Sequence, residues 1–191
     1  MEHLDAPTLE QVWDKLDQDE RVSVCGELKT IVDNLWQLEQ NPIEPFIGKV
    51  AKAPLYDRAI NVRYMSEAGP FDTVKKFHDW FTFLHRRPMP DPYSAPIESF
   101  RQDLPDDCDI KFTHGDLHPS NILISRSKPY QVLAVVDWNS QAGYLSTGRR
   151  ERRSSLTVDV TDGLKKYLPM ILSQYASTWD PWDCYTSAMG C

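Results

Sequence analysis

Apolar residues at Val22, Cys25, Leu28, Val32, Leu35 and Leu38 recur in steps of three and four. That spacing gathers side chains on one face of an α-helix and predicts a helix from about Asp19 to Glu39. Two capping boxes precede it, Thr8-Leu9-Glu10-Gln11 and Asp17-Gln18-Asp19-Glu20, each with an acceptor three residues ahead of Glu or Gln. Pro42 and Pro45 end the run. Residues 42–70 show no period and are punctuated by Gly48, Pro54, Gly69 and Pro70, so they are expected to be irregular. A second helical stripe lies in Val74, Phe77, Trp80, Phe81 and Leu84, with Asp72 as its expected N-cap. Its aromatic side chains read as core. His78 and His85 lie seven apart on it, whereas metal-ligand pairs on helices sit four apart, so no metal is expected there.

Four prolines between Pro88 and Pro96 mark a stiff connection, and Ser94 with Pro96 predicts a short helix through Phe100. From Ile110 the pattern becomes extended: Lys111-Phe112-Thr113, then Asn121–Ser125, then the β-branched run Tyr130–Trp138. The turn Arg126–Pro129 is short enough to make the last two an antiparallel hairpin. Leu164, Tyr167, Leu168, Ile171, Leu172 and Tyr175 return to helical spacing, predicting helix between Asp162 and Met189.

Composition narrows the class. The 191 residues carry 21 Lys and Arg against 28 Asp and Glu, a net charge of −7, with 41% apolar residues. This is the make-up of a folded globular chain, and its acidity argues against nucleic acid as the main partner. The longest apolar run, Val132–Val136, is far short of the roughly 20 residues of a membrane span. Met1–Asp5 has neither the basic nor the apolar region of a signal peptide, so a cytoplasmic protein with no membrane partner is expected. Cys25, Cys108, Cys184 and Cys191 show no metal or redox spacing and read as reduced thiols.

The candidate chemistry lies in Thr113–Asn121 (THGDLHPSN) and Val136-Asp137-Trp138. A turn centred near Lys128–Pro129, with cross-strand partners numbered to sum to about 258, sets Asn121 opposite Asp137, about 4.5–5.5 Å apart at Cα. A carboxylate and an amide oxygen so placed suit magnesium, which takes few protein ligands when phosphates supply the rest. Asp116 sits on the loop before the first hairpin strand, where it could accept the proton of an attacking hydroxyl. Asp, four residues, then Asn is also the spacing of the protein-kinase catalytic loop.

HGDLHPSNIL, with VVDWNSQAG after it, resembles the aminoglycoside phosphotransferase and choline kinase-like family, small-molecule relatives of protein kinases. TLEQVW, FIGKV, GPFDTVKKFHDW and YTSAMG resemble its fungal-type branch. The resemblance implies an α+β, mainly helical fold: the C-terminal lobe of a protein-kinase-like fold, with a short hairpin carrying the catalytic loop and the metal-binding Asp. It implies Asp116 as catalytic base, Asn121 and Asp137 as magnesium ligands, Leu123 and Val136 at the adenine floor of ATP, and His114 and His118 in support. It implies a small-molecule hydroxyl as acceptor. By the same resemblance residues 1–191 form one lobe, with residues 1–7 hinge-like, 112–144 the catalytic core and 146–155 a divergent basic loop.

The sequence departs from that family in three places. Its eight glycines are scattered, with no glycine-rich phosphate loop and no strand carrying a phosphate-pairing lysine. The hinge-like MEHLDAPTLEQVW opens the chain, so the N-terminal β-lobe is expected to be missing or supplied by a complementing partner. Asn139 stands where relatives carry an acidic residue, and STGRRERRSS replaces an aromatic, acidic helix; such an Arg run is ordinarily a solvated loop.

Plainer readings compete. HGDLH alone is a polar turn satisfied by its own side chains, and alternating ligands could suggest zinc, though no fourth ligand is indicated. Two functions therefore stand: an ATP- and magnesium-dependent phosphotransferase impaired without its other lobe, and a noncatalytic, pseudokinase-like lobe or truncated gene product acting as a binding module.

Overall fold

A computed structural model describes residues 4–55, 68–86, 89–94, 101–114, 117–138, 143–146 and 167–171. Asp116, the helix expected at 94–100, most of the basic segment 146–155, and the expected terminal helix apart from 167–171 lie outside the described residues.

Short helix α1 (Leu9–Val12) continues into a 3-10 turn at Trp13–Lys15, and helix α2 spans Gln18–Trp36. Both expected capping boxes are formed. Asp17 Oδ1 accepts from the Glu20 amide at 2.9 Å while Glu20 Oε2 accepts from the Asp17 amide at 2.9 Å, so two otherwise orphaned amides of the first turn are satisfied. The apolar stripe buries Val24, Cys25, Leu28 and Val32, each contributing on the order of 1.5–3 kcal/mol if full size. Val22 and Leu38, at the ends of that stripe, are exposed.

Strand β1 (Gly48–Lys49) corrects the expectation that residues 42–70 are irregular throughout. It pairs antiparallel with β5 (Gly143–Ser146), almost a hundred residues away, and Ile47 bridges Phe71. Two residues show no alternation, so nothing local announces this strand. Helix α3 (Val74–Phe83) is capped by Thr73, not Asp72. Thr73 takes the extended conformation a cap requires and accepts from the Lys76 amide at 3.2 Å, while Asp72 pairs with Lys76 Nζ at 2.7 Å.

Strand β2 (Ile110–Thr113) pairs antiparallel with β5, giving the order β1-β5-β2. Strands β3 (Ile122–Ile124) and β4 (Val132–Val135) form a separate two-stranded ribbon, the expected hairpin. A short helix, α4 (Leu168–Ile171), completes a mixed arrangement of helices and small antiparallel sheets.

Among the described residues two buried clusters result. One joins α1, α2 and Tyr167 to Ile122 and Ile124 of the ribbon. The other centres on Phe77 and Phe81 of α3, with Ile47, Leu55 and Leu104, and Ile110 of β2 packs on it. An ion network ties the acidic turn ahead of β2 to α3. Arg101 reaches Asp79 Oδ1 at 2.8 Å and Asp106 Oδ1 at 2.8 Å, and fully buried His78 meets Asp106 through Nδ1 at 3.2 Å. A carboxylate only accepts, so Nδ1 of His78 carries a proton. The turn is thereby fixed, and with it the start of the strand that leads to His114.

Candidate active site

The segment after β2 reaches the ribbon through His114, which is 3% exposed. Its Nε2 donates to the Val136 carbonyl at 2.8 Å, and its ring stands edge-on to Trp138 with centroids 4.5 Å apart. Trp138 is held in turn by its indole N–H on the Val135 carbonyl at 2.6 Å and by stacking on Phe112 at 6.2 Å. Residues 112, 114, 136 and 138 thus form one packed junction where the end of β2 meets the end of β4.

Pro119–Asn121 make a single 3-10 turn leading into β3. His118 caps it: Nδ1 accepts from the Ser120 amide at 3.2 Å and lies 2.7 Å from Ser120 Oγ. With Nδ1 accepting, the neutral ring carries its proton on Nε2. The same hydroxyl is 3.5 Å from Asn121 Oδ1. Buried Pro119 fixes the first position of this turn, so the backbone delivering Asn121 has little freedom.

The register of the ribbon differs from expectation by one residue. Ile122 pairs with Val135 and Leu123 with Ala134, and the Val136 amide donates to the Asn121 carbonyl at 2.8 Å. Asn121 therefore faces Val136, and Asp137 comes one residue later. The departure begins at the turn, where Ile124 pairs with Val132, two residues from the expected register, and an irregularity between Leu123 and Ile124 recovers one of the two. A regular strand would send Asp137 to the face opposite Asn121. Asp137 instead has φ 65, a left-handed conformation that ends the alternation and that Asp tolerates better than most residues.

Ile122 and Ile124 point into the core, so Leu123, half-buried and opposite Ala134, lies on the other face. Val136, two residues beyond Ala134, shares that face. Leu123 also bridges Thr8, and the Ile124 amide donates to the Pro7 carbonyl at 3.0 Å, so the N-terminal segment runs beside the ribbon.

The donor set fits magnesium. Asp137 is exposed, and among the described residues none pairs with its carboxylate; the amide side chain of Asn121 belongs to the residue paired with its neighbour. These are hard oxygen donors, few in number, as an ion also held by phosphates requires. Ser120 and Trp138 lie in the segments singled out from sequence but were given no role there, and Glu27 carried no expectation at all. Glu27 Oε2 accepts from the Val132 amide at 2.7 Å, a contact 105 residues apart that no local pattern announces.

Residues 96–141 match the family model of the phosphotransferase enzyme family. The matched stretch covers β2, the turn at His118–Asn121 and the whole ribbon, and it supports membership of that family over a part shorter than half of the chain. No curated protein and no solved structure matches the chain. No helix among the described residues is long and apolar enough to cross a membrane.

Proposed function

We propose that this chain is the helical, site-bearing lobe of an ATP- and magnesium-dependent phosphotransferase of the aminoglycoside phosphotransferase type, in its fungal-type branch. It moves a γ-phosphate to a hydroxyl of a small molecule in the cytoplasm. The observation that carries the reading is the carboxylate of Asp137, unpaired among the described residues and held left-handed one residue beyond the backbone partner of Asn121, within a stretch matching a phosphotransferase family.

In this reading Asn121 and Asp137 hold magnesium, and Leu123 and Val136 lie under the adenine. When bound, magnesium supplies positive charge to the β- and γ-phosphates. Asp116 orients the acceptor hydroxyl and takes its proton; the hydroxyl oxygen bonds to the γ-phosphorus as the bond to the β-phosphate oxygen breaks and ADP leaves. His114 fixes Val136, next to Asp137, and His118 fixes the turn that presents Asn121. The 191 residues hold no glycine-rich phosphate loop, which supports low turnover unless a complementing lobe covers the nucleotide. The same feature supports a second reading, a noncatalytic binding module.

Calorimetry with magnesium and ADP tests the first reading: heat with the native chain, lost in Asp137→Ala, is expected, and no heat with the native chain would sink it. Phosphorylated product that disappears in Asp116→Asn would exclude the second.

A further inference from the structure

We infer that Glu27 is a positioning residue for the metal site, acting through the backbone of β4; the inference rests on the reading of Asn121 and Asp137 as magnesium ligands. Ile124 pairs with Val132, yet Leu123 pairs with Ala134, so Leu133 is the extra residue of a bulge. A bulge re-aims the residues beyond it on its strand. Carried on without the bulge, the register at Ile124 would set Asn121 opposite Val135 and leave Asp137 two residues further along the strand. With the bulge, Asn121 faces Val136 and Asp137 is the next residue.

The irregularity has a specific holder. At the turn side, the Ser125 amide donates to the Gln131 carbonyl at 2.9 Å, so the amides of the next pair, Ile124 and Val132, point away from the ribbon. Ile124 finds the Pro7 carbonyl at 3.0 Å, and Val132 finds Glu27 Oε2 at 2.7 Å. Glu27 is not alone on its helix. Lys128, in the turn of the hairpin, pairs with Glu20 Oε1 at 2.6 Å. Residues seven apart on a helix share a face and stand about 10.5 Å apart along the axis. Lys128 lies in the turn of the hairpin and Val132 opens β4. One face of α2 thus grips the ribbon at two points, one at the turn and one at the bulge. The second grip sets the register of everything beyond it.

The test compares Glu27→Ala with Glu27→Gln, which keeps an acceptor oxygen. Amide hydrogen exchange is followed at Val132 and Val136, and affinity for magnesium with ADP is measured by calorimetry. In Glu27→Ala, exchange at Val136 is expected to rise at least tenfold relative to amides in α3, with affinity about tenfold weaker. In Glu27→Gln both are expected to return to within about threefold of the native chain. Glu27→Ala with native protection at Val136, or with native affinity, overturns the inference, as does a glutamine variant no better than alanine. A native chain that binds no magnesium and ADP defeats the functional reading and, with it, the metal-site role of Glu27. The exchange arm then separates that failure from a failure of Glu27 to hold the bulge.

Discussion

The imidazole of His114 and the carbonyl of Val136 are 2.8 Å apart, and through this bond the end of β2 is fastened to the end of β4. The two strands belong to different sheets, and they pack on different buried clusters. His114 is therefore a structural tie before it is anything else.

His114→Ala removes that donor and leaves the Val136 carbonyl in a site closed to most solvent. A loss of roughly 1–3 kcal/mol is expected, to be read as a lower urea midpoint at unchanged slope. An unmoved midpoint would show that the junction holds without the bond.

Asp137 offers a separation of binding from folding. At φ 65 a residue with an ordinary Cβ is strained, and Asp and Asn tolerate the conformation better than Ala. Asp137→Ala is expected to unfold more easily than Asp137→Gly by about 1–2 kcal/mol. Both variants, and Asp137→Asn, are expected to lose affinity for magnesium and ADP. Thermal unfolding beside calorimetry checks the pair of expectations, and equal stability of the Ala and Gly variants would speak against the left-handed conformation.

Among the described residues, four carboxyl groups are held below their ordinary range in the folded protein. The Glu20 amide does this for Asp17, Lys52 for Glu44 and Lys76 for Asp72. At Asp79 burial pushes upward, but hydrogen bonds from Lys75 and Arg101 outweigh it. Depressed carboxyls bind fewer protons in the folded chain than in the unfolded one, so their contribution is complete above the ordinary values of 3.8 and 4.5. It is lost as pH falls through the lower folded values. Denaturant midpoints measured from pH 7 down to pH 3 are expected to hold and then decline below about pH 4.5. Asp79→Asn, which removes one of the four, is expected to make the decline shallower.

Much of this was legible in the residues themselves. Helix α2 comes from its three-and-four spacing and from a cap at Asp17, both local properties that packing reinforced. The hairpin came from two β-branched runs around a short turn. Its register did not: at the turn the strands pair two residues off that expectation, and the bulge that recovers one of them lies beside a contact from Glu27, 105 residues from Val132 in sequence. Strand β1 was equally illegible, its two residues taking extended form only because β5 lies alongside. At α3 the neighbouring residues Asp72 and Thr73 are both good caps by type; the backbone put the extended conformation at Thr73 and left Asp72 to Lys76. Trp138 lay within the recognised Asp-Trp pair, yet its bearing on His114 emerges only when β2 and β4 converge.

The carboxylate that Glu27 offers to the Val132 amide has one more effect. Strand β4 forms an outer margin of its ribbon, and an outward amide on such a margin is an invitation for a foreign strand to attach. Here the invitation is already taken by a negatively charged group of the same molecule. A strand from a second molecule would have to displace it and accept the charge beside its own carbonyl oxygens, so this side of the ribbon is guarded against growth into aggregates.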